Sequence, residues 1–103
     1  MVVKYKNKKY EIYRSTYANN KTLAIFAYRK QELDFVITKN LPDVVTLGDD
    51  YQFIDTNNYP WLPDFIEQTK LGEPANITMP LGFCIYPLYR FNIDKIDKIW
   101  YNI

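Results

Sequence analysis

The residues best suited to binding chemistry lie near the start of the chain, where cationic and aromatic side chains alternate through residues 4–17. Cations can follow a phosphate backbone and tyrosine rings can stack on bases, so this pattern is typical of a sheet that binds single-stranded nucleic acid. Two observations favour an ordinary exposed hairpin instead. The pI of about 7.7 is low for a nucleic-acid binder, and many exposed hairpins alternate cationic and aromatic residues in this way. The residues concerned are Lys4, Tyr5, Lys6, Lys8, Lys9, Tyr10, Tyr13, Arg14 and Tyr17.

Composition excludes several kinds of catalytic and metal site. The chain has no histidine, one cysteine and three glycines. Without histidine there is no Ser–His or Cys–His triad, and the commonest general base is missing. One cysteine cannot build a structural zinc site, and scattered glycines do not form a phosphate-binding loop. Cys84 has apolar neighbours in the sequence, which predicts a packed, unreactive thiol. We therefore expect no catalytic residues, no cofactor, no metal and no enzymatic activity.

Carboxylates collect in residues 43–55, where Asp43, Asp49, Asp50 and Asp55 occur. Oxygen ligands at such spacing can bind calcium or magnesium, although the calcium-loop pattern with its final glutamate is absent. Two interpretations stay open for this segment: a solvated loop, or an ion site or acidic contact.

Charge is distributed unevenly along the chain. Residues 1–30 contain eight Lys/Arg and one acidic residue, whereas residues 31–75 contain two Lys/Arg and nine acidic residues. Such asymmetry can mark a partner-binding face. It also fits two halves that attract one another in the fold, or two solvated surfaces.

The elements that must position these side chains read mostly as strands. The first four runs, joined by short polar links, predict an antiparallel meander. Residues 21–29 are apolar on both faces, which indicates a central strand. Pro87 lies within the last main run, so that strand should be an edge or contain a bulge. The predicted strand runs are 2–6, 9–18, 21–29, 34–39, 51–55 and 83–91.

One helix is predicted over residues 56–73. Asn57 or Asn58 can serve as its cap, and Pro60 and Pro63 fall in the first turns, where a missing N–H costs little. Gly72 should end it. An apolar stripe along this helix must pack on the sheet. The tail, residues 92–103, fits either a short helix or a further strand.

These elements predict a single α+β domain over residues 1–103. Its antiparallel, strongly twisted sheet should have about five to six strands, with one main α-helix packed on it. No apolar run is long enough to span a membrane, and a lone cysteine fits a reducing cytosol, so we expect a cytoplasmic protein.

Four short segments give the chain a recognisable pattern. They are "YANNKTLAI" (17–25), "ITKNLPD" (37–43), "FIDTNNYPWLPDFIE" (53–67) and "LGFCIYPLYRF" (81–91). A Tyr-x-Asn turn, a strand ending in Asn-Leu-Pro, a short helix and a closing Pro-x-Tyr strand resemble a small bacterial family known as a domain of unknown function. The resemblance implies an accessory protein of phages, plasmids or conjugative elements, and it supplies no catalytic residues.

The leading hypothesis is a non-enzymatic protein-binding module, a candidate inhibitor of a host defence or replication factor. The alternative is a single-stranded nucleic-acid binder that uses the basic N-terminal hairpin. An enzyme built from carboxylates and tyrosines, and self-association, are the remaining hypotheses, and the chain could be a monomer or a homodimer. The candidate partner-binding residues are Lys6, Lys9, Tyr13, Arg14, Tyr17, Tyr28 and Trp61.

Overall fold

The structure is a computed structural model that describes residues 1–42 and 47–99. Within these residues it contains eight strands, one α-helix and one 3-10 turn. The strands are β1 (Val2–Tyr5), β2 (Lys8–Thr16), β3 (Leu23–Arg29), β4 (Glu32–Val36), β5 (Tyr51–Phe53), β6 (Gly72–Leu81), β7 (Cys84–Phe91) and β8 (Asp97–Lys98). The helix α1 is Leu62–Thr69, and the 3-10 turn is Ile93–Lys95.

The first sheet confirms the predicted meander, because β1, β2, β3 and β4 are neighbours in that order and pair antiparallel. Strand β3 is buried on both faces, with Ile25 and Ala27 in the main core and Ala24 and Phe26 in a smaller cluster on the opposite face. The short β8 adds a parallel pairing to β2. The tail therefore contains both a helical turn and a strand.

The expectation of one sheet with five to six strands was wrong, because the described strands form two sheets. The second sheet has the order β5-β7-β6 and meets the first through a bridge between Thr38 and Ile54. Strand β6 was missed because Pro74 and Pro80 make its sequence read as a loop. An edge strand tolerates proline, since an N–H that faces away from the sheet has no partner to lose.

Pro87 does not mark an edge, because β7 is the middle strand of the second sheet. The N–H of Ile54 donates to the carbonyl of Pro87 at 3.1 Å, just beyond the end of β5. The N and O atoms of one strand residue face the same neighbour, so the missing N–H of Pro87 faces this strand end. The register irregularity lies in β6, between Pro74 and Thr78, where Asn76 has φ 61°.

The α-helix is confirmed but is shorter than predicted. Trp61 is its N-cap and provides no capping side chain. Asn58 is not the cap: its Nδ2 donates to Asp55 Oδ2 at 2.8 Å in the preceding turn. The helix ends because Lys70 adopts the left-handed conformation, with φ 57°. Gly72 therefore does not end the helix, and it starts β6 instead.

The main core lies where α1 packs against the first sheet and β7. Leu62, Phe65 and Ile66 form the buried stripe of the helix. A second cluster, with Phe53 and Leu88, fills the base of the β6–β7 hairpin. In residues 1–42 and 47–99, no helix has the length and apolar character needed to cross a membrane.

Gly72 is required for the close approach of β6 and β7. A Cβ atom at this position would lie 2.3 Å from the carbonyl oxygen of Arg90. We expect Gly72→Ala to lower the free energy of unfolding by about 1–3 kcal/mol, because backbone must move to relieve the clash. Urea denaturation measures this change.

Gly48→Ala is the matched control. Its Cβ would meet the flexible side chain of Asp50 at 3.3 Å, and no backbone atom is among its nearest neighbours. We expect a change within about 1 kcal/mol. Equal losses in the two variants would contradict the packing argument for Gly72.

Candidate functional site

Two hairpin turns bring cations together at one end of the first sheet. In an antiparallel meander, the β1–β2 and β3–β4 turns lie at the same end. Both turns have positive φ angles at both central residues: Lys6 (47°) and Asn7 (66°), and Lys30 (54°) and Gln31 (67°). This is the type I′ geometry of two-residue hairpins. We call this region the basic end, defined by Lys6, Lys8, Lys9, Arg29 and Lys30.

A groove beside the first turn joins Lys6 to Trp61, two of the predicted site residues. It has a volume of about 330 Å³ and is also lined by Tyr5, Lys8 and Tyr10. Lys6 Nζ lies 5.4 Å from the centre of the Tyr5 ring. The groove therefore combines ammonium groups with aromatic walls.

Trp61 is held in this groove by aromatic contacts. Its ring is stacked on Tyr5, with centres 6.2 Å apart and planes 23° apart, and it meets the ring of Phe35 edge-on at 5.0 Å. It remains 38% exposed. The indole is thus a fixed ring that still offers surface to a ligand.

Tyr5 links this groove to the helix. Its hydroxyl donates to Asp64 Oδ2 at 2.7 Å, and the side chain is buried. Burial, reinforced by the hydrogen bond and by the negative charge of Asp64, raises the pKa of Tyr5 to about 12. At neutral pH the phenol is therefore protonated, and its hydrogen bond links β1 to α1.

A second groove of about 420 Å³ lies between the two turns and brings together Lys9 and Tyr28, two further predicted residues. It shares Lys8 and Tyr10 with the first groove. Within the described residues, the only ion pairs closer than 4.0 Å are Met1–Asp97 and Arg90–Asp50. The cations of the basic end thus form no close ion pair with any described carboxylate.

Tyr13 lies in the middle of β2, outside both grooves. Its ring meets Tyr28 edge-on at 5.5 Å, and its hydroxyl donates to Glu11 Oε2 at 2.9 Å. This hydrogen bond is the main cause of the raised pKa of Tyr13. Tyr13 therefore supports the wall of the second groove through Tyr28.

Arg14 and Tyr17 have structural contacts away from the basic end. Arg14 Nε lies 3.0 Å from the carbonyls of Ile93 and Ile96, so it holds the C-terminal 3-10 turn against β2. Tyr17 is buried, and its hydroxyl lies 2.8 Å from Thr38 Oγ1. The structure does not bring these two residues together with Lys6, Lys9 or Trp61.

The acidic segment is used for structural contacts where it is described. Arg90 Nε donates to Asp50 Oδ2 at 2.9 Å, and Asp55 accepts from Asn58. Asp43 lies outside the described residues. In the described ranges 1–42 and 47–99, no three carboxylate or thiol side chains are placed to hold a metal ion.

The sequence reasoning missed an apolar surface at the tip of the β6–β7 hairpin. Gly82, with φ 61°, begins a two-residue turn, and Phe83 completes it with its ring fully exposed. A Gly-x pair inside an apolar run is a hairpin signal that could have located this turn. We call this end of the hairpin the apolar tip, defined by the exposed residues Leu81, Phe83 and Ile85.

These elements define a small α+β protein built from antiparallel strands and one helix. A family model described as a domain of unknown function (DUF4313) matches residues 11–101, and the chain belongs to this family. The match confirms the resemblance seen in the sequence. No curated protein and no solved structure matches the chain.

The raised pKa of Tyr5 predicts a pH dependence of stability. The neutral phenol is favoured in the folded state, with a pKa of about 12 against an ordinary value of 10.0. Its contribution is therefore complete below pH 10 and is lost as the pH rises towards 12. Between these values, the free energy of unfolding should fall more steeply for the wild type than for Tyr5→Phe. Urea denaturation at several pH values measures both curves, and parallel curves would contradict the assignment.

Proposed function

We propose that this protein is a non-enzymatic binding module that recognises another protein through the apolar tip. The observation that carries the proposal is the full exposure of the Phe83 side chain, together with Ile85, which is 63% exposed. Burying one such side chain in a partner removes its apolar surface from water and stabilises the complex by about 1.5–3 kcal/mol. Aromatic side chains of this kind often anchor protein interfaces.

The β6–β7 hairpin that carries the apolar tip is anchored in the fold by buried side chains, which favours a role in recognition. Tyr86 and Leu88 of β7 are buried in a cluster with Leu41 and Phe53. The turn itself needs glycine at its first position but imposes no apolar residue at its second. Folding thus provides no reason for a phenylalanine at position 83, whereas a binding role does.

We propose that the chain comes from a mobile genetic element and that its partner is a protein of the host cell, in particular a defence or replication factor. The motivation is the sequence resemblance to accessory proteins that such elements carry. A lone cysteine, Cys84, is consistent with action in a reducing compartment such as the cytoplasm. The surface that receives Phe83 should be an apolar cleft, because the tip offers no charged side chain from Leu81 to Ile85.

The double substitution Phe83→Ser with Ile85→Ser tests this proposal. The wild type should capture a protein from host lysate that this variant does not capture. Once purified, that protein should bind the variant about 30-fold more weakly than it binds the wild type. Quantitative mass spectrometry identifies the captured protein, and calorimetry measures its affinity. Leu33→Ser is the matched control, because it removes another exposed apolar side chain and should leave capture unchanged.

Two results would contradict the proposal. One is the absence of any protein whose capture depends on the tip. The other is a tip-dependent dimer of this chain, detected by light scattering of the wild type and abolished in the double variant. In that case the apolar tip would serve self-association.

A further inference from the structure

We propose that the basic end also binds single-stranded nucleic acid, with its ammonium groups on the phosphates and the Trp61 ring stacked on a base. This inference goes beyond protein recognition and uses a separate surface, because the two grooves of the basic end share no lining residue with the apolar tip. The ligand follows from three properties of the basic end: its charge, its shape and its exposed ring.

The charge of the basic end is strongly positive where a ligand would lie. The two grooves are lined by five cations and a single carboxylate, Glu11, whose Oε2 already accepts the hydroxyl of Tyr13. Three further carboxylates lie close by: Glu32 is the strand partner of Arg29, the charge of Asp34 acts on Tyr10, and Asp64 accepts the hydroxyl of Tyr5. The five cations still outnumber these four carboxylates, so the surface favours an anionic ligand.

A different groove shows that this charge is local. The groove between α1 and the start of β6 has a volume of about 580 Å³ and is lined by Asp64, Glu67 and Glu73 with one cation, Lys70. A polyanion would be repelled there. The uneven charge of the sequence thus becomes two surfaces of opposite sign.

The shape of the basic end favours an extended ligand. The two grooves share Lys8 and Tyr10, so they adjoin one another beside the two turns. Lys6 and Lys30 are exposed in these turns at the end of the sheet. Lysine also adopts a positive φ at Lys21 and Lys70, so this conformation is not peculiar to the basic end. What suits Lys6 and Lys30 to an anionic ligand is their position in the two turns.

The exposed ring distinguishes a single strand from other polyanions. Trp61 is fixed by its stack on Tyr5 and its edge contact with Phe35, yet keeps 38% of its surface free beside Lys6. Unpaired bases can stack on such a ring, whereas the bases of a duplex are already stacked on each other. An acidic peptide would use the cations but would gain little from the ring.

Fluorescence anisotropy with a labelled single-stranded oligonucleotide tests the inference. With about four phosphate contacts, affinity should fall about 50-fold when salt rises from about 50 to 200 mM. Lys6→Gln with Lys30→Gln should weaken binding at the lower salt concentration by about tenfold or more. Trp61→Leu should weaken it about fivefold or more through lost stacking, with little change in the salt dependence.

Lys70→Gln with Lys95→Gln is the matched control, because it removes the same charge from exposed positions outside both grooves. It should bind nearly as well as the wild type, as should the Phe83→Ser, Ile85→Ser variant. Circular dichroism checks that each variant is folded, and the lysine variant tests the inference even if Trp61→Leu is unstable.

Three results would overturn the inference. The first is no binding by the wild type at low salt, and the second is an equal loss in the control variant, which would indicate bulk charge. The third is equally tight binding of a duplex or of poly-glutamate, which would indicate a general polyanion surface with no role for Trp61. Loss confined to the basic-end variants, with preference for the single strand, supports it.

Discussion

The packing of Phe65 against three aromatic rings of the first sheet is the contact on which the remaining architecture depends. Its ring meets Tyr5, Tyr10 and Phe35 edge-on, with centres 4.9, 5.5 and 5.4 Å away. A fully buried phenylalanine contributes about 3–5 kcal/mol by comparison with alanine. These contacts fix the start of α1 over β1, β2 and β4, and so determine where Trp61 lies relative to the lysines of the first turn.

The meander of the first sheet gathers cations from distant parts of the sequence, so the uneven charge along the chain becomes a basic surface at one end of the sheet. Successive antiparallel strands return every second turn to the same end, so cations separated by more than twenty residues, such as Lys8 and Lys30, line the same groove. Two tyrosines of the first sheet have structural contacts: the hydroxyl of Tyr5 binds Asp64, and that of Tyr17 binds Thr38. Among the described residues, neither of the two close ion pairs joins the basic segment 1–30 to the acidic segment 31–75.

Proline shapes the second sheet in a way that differs from the sequence prediction. Pro87 was expected to mark an edge or a bulge, but the free edge of the second sheet is formed by β6, which contains Pro74 and Pro80. Prolines and a register irregularity interrupt the free edge, and such interruptions disfavour pairing with another molecule. The hairpin can therefore present an exposed Phe83 at its tip while its edge remains a poor template for strand addition.

Local patterns determined the antiparallel meander, the buried central strand β3, the single helix and the family, because each depends on neighbouring residues: alternation, helical spacing, turn residues and short motifs. Lys6, Lys9 and Trp61 were singled out in the same way, since charge and aromatic character can be read directly, and the structure places them in the lining of two grooves. Only the tertiary structure decided that the strands form two sheets, that Arg14 holds the C-terminal turn, that Tyr17 is buried and that Phe83 is exposed. Sequence alternation shows that a strand has two faces, but which face is covered depends on contacts between residues far apart in the chain, and these exist only once the helix and both sheets have packed together.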